Sequence, residues 1–324
     1  MAWIIESPAM RRVHELTKQI GPSTAPVLIS GETGTGKEVI AEMIQFYSER
    51  KNSPFIRVNC AAIPKDLLES ELFGSVRGAY TGSIVDRRGL FQAADTGTIY
   101  LDELSEMTFD LQAKLLRVVE NQMIRRVGDT VWNKVDVRII SSINRPPDLC
   151  VELKVLRDDL YYRIGTFHIR VPAMRQRVPD ILPLCRAYLE KYSAEQKRVP
   201  PVLSPEVVAI LQGYHWPGNV RQIVNEMHRL AVISKATALP EDIDFHLQKE
   251  PDFNTPLSRM ELMEKTTIEN VLIETNGNKL EAAKRLGIGR QTLYNKLHRY
   301  NIETIKEKPP GDESPGGNQP FPLP

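Results

Sequence analysis

The sequence predicts an α/β fold, a parallel sheet with helices on both faces, followed by an all-α segment and a separate all-α end. Three observations carry this expectation. Short apolar runs alternate with helical patterns over residues 5–170, a glycine-rich loop follows the first run, and from about residue 179 the apolar spacing is helical only. Strands alternating with helices need crossover connections, which cover both faces of a parallel sheet. With 324 residues, 41 % of them hydrophobic, the chain has material for a large core and one or two smaller units.

The expected buried strands are Val27-Leu28-Ile29, Phe55-Ile56-Arg57-Val58, Thr98-Ile99-Tyr100-Leu101 and Val137-Arg138-Ile139-Ile140, with amphipathic stretches at 39–47 and 111–120 between them. Further on, Pro183, Pro205 and Pro217 fall near expected helix starts or turns. Segment 239–257 is rich in Pro, Asp, Glu and Asn and reads as a linker, and 259–302 is helical again. The Pro- and Gly-rich tail is expected to be disordered. The expected division is an α/β unit at 5–172, a helical subdomain at 173–238, a linker at 239–258, a helix-turn-helix at 259–303 and a tail at 304–324.

No run of about 18 apolar residues is present, and the first residues lack the pattern of a signal peptide. Cys60, Cys150 and Cys185 are odd in number with no CxxC pair. Reduced structural thiols, a cytoplasmic location and no membrane contact are expected. The net charge of +1 hides an asymmetry: Lys279, Lys284, Arg285, Arg290, Lys296 and Arg299 oppose only Glu281 between residues 276 and 300. An anionic partner is expected there.

Gly31-Glu32-Thr33-Gly34-Thr35-Gly36-Lys37 lies between the first strand and the helix expected near Glu38. Such a loop leaves backbone N–H groups free to cradle phosphates, and its Lys reaches the β and γ oxygens. The generic motif ends in a Ser or Thr that ligates magnesium, whereas Glu38 stands here. The metal must then use another hydroxyl such as Thr35, a carboxylate, and water. The carboxylate is Asp102, the first of two acids that end an apolar strand at the carboxyl edge of the sheet, and Glu103 is placed to polarise the attacking water. Arg157 and Arg163 lie among acids and aromatics; composition reads them as salt-bridge partners, phosphoryl transfer as cations for developing charge.

Together these segments, with Val58-Asn59-Cys60-Ala61-Ala62-Ile63-Pro64, Leu68-Glu69-Ser70-Glu71-Leu72-Phe73-Gly74 and Trp216-Pro217-Gly218-Asn219-Val220-Arg221, resemble the AAA+ ATPase domain of bacterial sigma-54-dependent transcriptional activators. In that family the loop ends in Lys-Glu, so Glu38 fits. The resemblance implies an AAA+ P-loop ATPase with an all-α lid, ATP and Mg2+ as ligands, and catalytic or sensing roles for Asp102, Glu103, Asn59, Asn144, Arg157 and Arg163. It implies that Asn59 restrains the catalytic Glu, that Asn144 senses the γ-phosphate, and that Arg221 contacts nucleotide from the lid. Because Arg157 and Arg163 match arginines that reach a neighbouring site, it also implies a homo-hexamer, with dimers as a resting form.

Gly78-Ala79-Tyr80-Thr81-Gly82-Ser83 has one large ring among small residues, so it cannot build a core and reads as an exposed loop. It resembles the family's Gly-Ala-Phe-Thr-Gly-Ala loop that contacts sigma-54. Departures from the family are Ser75-Val76-Arg77 for His-Glu-Lys, Ser142-Ile143-Asn144 for Ala-Thr-Asn, Lys154 for Gly and Gly165 for Asn.

At the end of the chain Leu280, Ala283 and Leu286 give one apolar face, Gly287-Ile288-Gly289 makes a turn, and Leu293 and Leu297 repeat four apart. Arg290, Gln291, Thr292, Asn295, Lys296 and Arg299 are types that bond base edges or phosphates. The segment resembles a Fis-type helix-turn-helix. The expected function is sigma-54-dependent activation: double-stranded DNA is bound upstream and ATP hydrolysis remodels sigma-54 RNA polymerase. The alternative is a DNA-binding regulator with a vestigial ATPase acting independently of sigma-54.

Overall fold

A computed structural model describes residues 3–79, 85–244, 247, 259–275, 277–289, 292, 293, 296, 297 and 302. The chain divides into two compact units, Met1–Pro251 and Asp252–Pro324. In the first, β1 (Val27–Ser30), β2 (Phe55–Asn59), β3 (Thr98–Asp102), β4 (Arg138–Ile143) and β5 (Phe167–Arg170) form one parallel sheet in the order β2-β3-β4-β1-β5. The first four are the expected strands. β5 is an edge strand whose His168 and Arg170 alternate with Phe167 and Ile169, and its short mixed pattern carries little signal.

Alternation along the strands sorts their side chains into two cores. Leu28, Ile99, Leu101, Ile139 and Ile143 pack on the face covered by α3 (Lys65–Phe73), α4 (Leu90–Ala93), α5 (Phe109–Asn121), α6 (Pro147–Glu152) and α7 (Asp158–Ile164). Val27, Ile29, Tyr100, Ile140 and Ile169 pack on the other face against α1 (Pro8–Ile20) and α2 (Lys37–Phe46). Fully burying each such side chain contributes roughly 1.5–3 kcal/mol, so the sheet cannot slip register without losing both cores. Arg138 opens β4 buried within this apolar setting. Its guanidinium donates to Ile20 O at 2.9 Å and Gly21 O at 2.5 Å, tying the end of α1 to the sheet. Burial lowers its pKa to about 10, and its site offers carbonyls rather than a carboxylate.

The lid packs α8 (Ile181–Glu195), α9 (Pro205–Gly213) and α10 (Asn219–Ile233) around fully buried Trp216, whose Nε1–H donates to Leu211 O at 2.8 Å. Pro183 sits in the first turn of α8, Pro205 opens α9, and Pro217 lies in the turn before α10. The expected boundary at 238 is too early. A 3-10 turn at Pro240–Asp242 brings Ile243 and Leu247 into the lid core, because these apolar residues of an otherwise polar segment bury rather than remain in water. Cys60, Cys150 and Cys185 are free and buried, and burial pushes the Cys60 and Cys185 thiols up to about 12.

In the second unit, α11 (Arg259–Glu274) and α12 (Lys279–Arg285) enclose Ile268, Leu272, Ala282, Ala283, Leu293 and Leu297. Leu280 departs from expectation: it is 39 % exposed and Ala282 takes its place in the core. Asn278 caps α12 through its side chain, and two bonds close the far end: Gly287 N–H to Lys284 O, and Ile288 N–H to Ala283 O. The tail 304–324 lies outside the described residues.

Lys154, one of the departures from the family pattern, has φ 51° just after α6, and its N–H bonds Val151 O. A left-handed non-glycine residue costs about 1–2 kcal/mol. Lys154→Gly is therefore expected to raise thermal stability by up to about 1 kcal/mol after the extra unfolded-chain entropy is subtracted. Equal or lower Tm in a thermal melt would contradict this.

Candidate functional site

The glycine-rich loop is held by its carbonyl oxygens. Lys37 Nζ donates to Gly31 O at 2.9 Å and Glu32 O at 3.2 Å, and Asn219 Nδ2 donates to Thr33 O at 3.1 Å. Gly34 O accepts from Val220 N at 2.9 Å, and Thr35 O from Arg177 Nη2 at 2.6 Å. Three of these donors belong to the lid segment. Gly36, with φ 97°, precedes α2 without a side-chain cap, so the first N–H groups of the helix face open space. At Gly34 a Cβ would lie 2.5 Å from Gly218 O, so the lid approaches only because no side chain stands there.

Around this loop Lys37, Glu38, Asp102, Glu103, Asn144 and Arg221 line one cleft of about 270 Å³. Lys37 Nζ donates to Asn144 Oδ1 at 2.6 Å, and Asn144 Nδ2 donates to Glu103 Oε1 at 2.9 Å. Burial pulls the Lys37 pKa below its ordinary value, opposed by the nearby Asp102 and Glu103 charges. Glu103 has φ 58°, a left-handed turn straight after β3 that separates its carboxylate from that of Asp102. Asp102 Oδ1 accepts from Tyr100 Oη at 2.9 Å and from the Ser142 hydroxyl. Burial first, and then the adjacent Asp102, raise the Tyr100 pKa, which keeps the phenol a donor.

Several expected ligands are occupied otherwise. The Thr35 hydroxyl donates to Glu32 O at 2.8 Å inside the loop, and the residue is buried. Glu38 accepts from Arg57 Nη1 at 3.1 Å on the outer side of α2. The Glu32 carboxylate accepts from Arg175 Nη1 at 2.9 Å and Asn219 Nδ2 at 3.3 Å, which makes it a fastener of the lid. Among the described residues no three His, Cys, Asp or Glu side chains converge on a metal position. Asp102 alone, completed by phosphate oxygens and water, fits Mg2+, a hard cation that keeps most of its hydration. Next to Thr35 and Gly36 a second cavity of about 300 Å³ is walled by Ile4, Val39, Ile40, Leu184, Tyr188 and Val220, chemistry that suits a flat heterocyclic base. This wall leaves no local pattern in the sequence, because Ile4, Val39, Leu184 and Val220 come from well-separated segments.

The structure does not bring Asn59 onto Glu103. Its Oδ1 instead accepts from Ala61 N at 2.9 Å and Ala62 N at 3.2 Å, a local turn at the end of β2. Asn144 makes the contact with Glu103. Arg157 is paired with Asp159 at 2.7 Å and Arg163 with Glu120 at 3.1 Å, and neither lines this chain's own cleft.

Of the exposed loop, Gly78 and Ala79 are described, whereas Tyr80, Thr81, Gly82 and Ser83 lie outside the described residues. Its base is firmly built. Gly74 and Ser75 pair antiparallel with Arg88 and Arg87, and Arg77 N–H donates to Asp86 Oδ1 at 2.8 Å. A hairpin of Met123–Arg125 and Trp132–Lys134, not anticipated from sequence, locks onto it. Val76 N–H bonds Val127 O at 3.1 Å, and Arg126 bonds Asp129 at 2.8 Å and Asp86 at 3.3 Å. The Gly128-Asp129 turn between short β-prone runs was the available signal.

In the second unit Thr292 is exposed, while Lys296 is partly buried and paired with Glu264 of α11 at 2.5 Å. Lys296 is therefore tied to α11 of its own module. Arg290, Gln291, Asn295 and Arg299 lie outside the described residues.

Three family matches follow one another along the chain. Residues 3–170 match the sigma-54 interaction domain, 175–258 the AAA+ ATPase lid domain, and 259–300 the bacterial regulatory proteins of the Fis family. The transcriptional regulatory protein FlbD of Caulobacter vibrioides is 39 % identical over 330 residues, covering 95 % of this chain and 72 % of FlbD. The regulatory protein AtoC of Escherichia coli is 40 % identical over 313 residues, covering 93 % and 68 %. The crystal structure of NtrX from Brucella abortus in complex with ATP superimposes with a TM-score of 0.71 at 29 % identity, covering 93 % of this chain and 70 % of that one.

Asn144→Ala removes the bridge between Lys37 and Glu103. ATP affinity is expected to stay within about threefold while single-turnover hydrolysis falls about 100-fold, the scale of one lost positioning donor; parallel loss of both would assign Asn144 to binding. Lys296→Met is expected to lower the stability of the helix-turn-helix by about 1 kcal/mol and to leave the salt dependence of DNA affinity unchanged. A slope reduced by about one in a salt titration would instead make Lys296 a phosphate contact.

Proposed function

Because this chain belongs to the family of sigma-54-dependent transcriptional regulators with an AAA+ ATPase domain, we propose that it binds upstream DNA, assembles into a hexameric ring, and drives open-complex formation by ATP hydrolysis. The observation that carries the reading is the convergence of Lys37, Asp102, Glu103, Asn144 and Arg221 on one cleft. In this reading the open N–H groups before α2 and the Lys37 ammonium hold the β- and γ-phosphates. Arg221 closes over them from the lid, and the apolar cavity beside Gly36 takes the base. Glu103 orients and deprotonates the attacking water, and Asn144 couples its position to Lys37 at the γ-phosphate. Mg2+ bound at Asp102 supplies neutralisation of phosphate charge.

Arg157 and Arg163, which do not line this chain's cleft, act on the nucleotide of the adjacent subunit, which is the reason for a ring. Glu103 freed from Asn144 can be taken up by Asn59 in another nucleotide state. Residues Gly78 to Ser83, based on the strand pair and the hairpin, meet sigma-54, with Tyr80 as the contacting ring. The Fis-type module holds double-stranded DNA, with Thr292 on its exposed surface. These partners locate the protein in the cytoplasm, and no helix among the described residues is long and apolar enough to cross a membrane. A vestigial ATPase is disfavoured because the hydrolytic groups are present and mutually bonded.

Transcription in vitro from a supercoiled template is expected to require ATP and sigma-54 polymerase; activation without ATP, or only with sigma-70 polymerase, overturns the reading. Tyr80→Ala is expected to abolish open complexes while ATP turnover stays within about twofold of the parent. Collapse of turnover with it would make the loop structural.

A further inference from the structure

Asp102 ends β3 with one carboxylate oxygen engaged twice. Its Oδ1 accepts from the Tyr100 hydroxyl, two residues earlier on the same face of the strand, and from the Ser142 hydroxyl of β4. The register that pairs Leu101 with Ser141 sets Ser142 alongside Asp102. Ser142 Oγ also accepts the Glu103 N–H at 3.2 Å. One hydroxyl thus touches the side chain of the first acid and the backbone of the second. Both Tyr100 and Ser142 are buried, at 1 % and 0 % exposure, so neither is free to change rotamer without disturbing the sheet.

The need for such a grip is visible in the loop opposite. Position 38 carries a carboxylate turned to Arg57, and the Thr35 hydroxyl is consumed by Glu32 O. Neither side chain of the loop steadies Asp102. The two strand hydroxyls supply the hydrogen bonds that hold this carboxylate; without them it would be free to rotate. Ile143, which brings an apolar side chain to the sensor strand, points into the opposite core and takes no part.

We propose that Ser142 and Tyr100 are positioning residues that fix Asp102 with Oδ2 presented to the metal–nucleotide, while Ser142 also sets the backbone turn that carries Glu103. This inference rests on the ATPase reading above. Loss of an outer hydrogen bond to a metal-binding carboxylate costs about 10–100-fold in metal affinity or activity. Ser142 touches both acids, Asp102 through its side chain and Glu103 through its N–H, so Ser142 is the more sensitive position.

The test uses the full chain and its Ser142→Ala, Tyr100→Phe and doubly substituted variants, each change deleting a single oxygen. Binding of a fluorescent ATP analogue is titrated with and without Mg2+, and hydrolysis is followed against Mg2+ concentration. Affinity without Mg2+ is expected to stay within about twofold, reporting an intact pocket, while the Mg2+ concentration for half-maximal effect rises about tenfold for Ser142→Ala, less for Tyr100→Phe, and most for the pair. An unchanged Mg2+ requirement in Ser142→Ala overturns the proposal, as does equal loss of affinity with and without Mg2+, which marks a purely structural role. Failure of the parent chain to bind the nucleotide would sink the ATPase reading itself, a result separable from either.

Discussion

The arrangement depends on how the glycine-rich loop satisfies its carbonyl oxygens. Five successive carbonyls, from Gly31 to Thr35, accept from Lys37, Asn219, Val220 and Arg177. A main-chain oxygen left unpaired in such a place would cost about 1–3 kcal/mol. Meeting that demand from outside turns the N–H groups toward the cleft and binds the lid to the loop. Trp216 buries beneath this contact, and Trp216 and Asn219 hold left-handed backbones with φ 51° and 53°. The strain locates Asn219 on the loop and Arg221 on the cleft in one short turn.

The ends of β2, β3 and β4 form the second half of the site, and they are joined to one another. Cys60 N–H bonds Asp102 O at 3.0 Å, Glu103 N–H bonds Ser142, and Asn144 reaches Glu103. From Asn59 the chain runs through α3 directly into the strand pair under the exposed loop. Groups that face the nucleotide and groups that carry the loop are thus consecutive in the chain and packed on one core. A shift at Glu103 has a short covalent and hydrogen-bonded route to Gly78, with the hairpin at 123–134 as its second support.

Much of this was legible in the sequence, for local reasons. Glycine spacing before a helix, an apolar run ending in two acids, and a lone ring among small residues each state their chemistry within a few positions. Which partner each polar side chain takes was not legible. In this structure Thr35 bonds within its own loop, Lys296 pairs with Glu264, and Asn59 closes a turn at the end of β2 while Asn144 contacts Glu103. A donor's type is written in its residue, but its acceptor is set by the neighbour the fold supplies.

The sequence alone therefore determined the family, the sheet, the nucleotide loop and the pair of acids, because these follow from periodicity and from short motifs with a fixed chemical purpose. Tertiary structure decided the fifth strand, the hairpin beneath the loop, the apolar wall beside Gly36, and the lid contacts on Gly34 and Thr35. It also decided that Tyr100 and Ser142, ordinary strand residues by sequence, share one oxygen of Asp102. Those features arise where segments far apart in the chain must satisfy each other's polar groups, and no local pattern records which segments will meet.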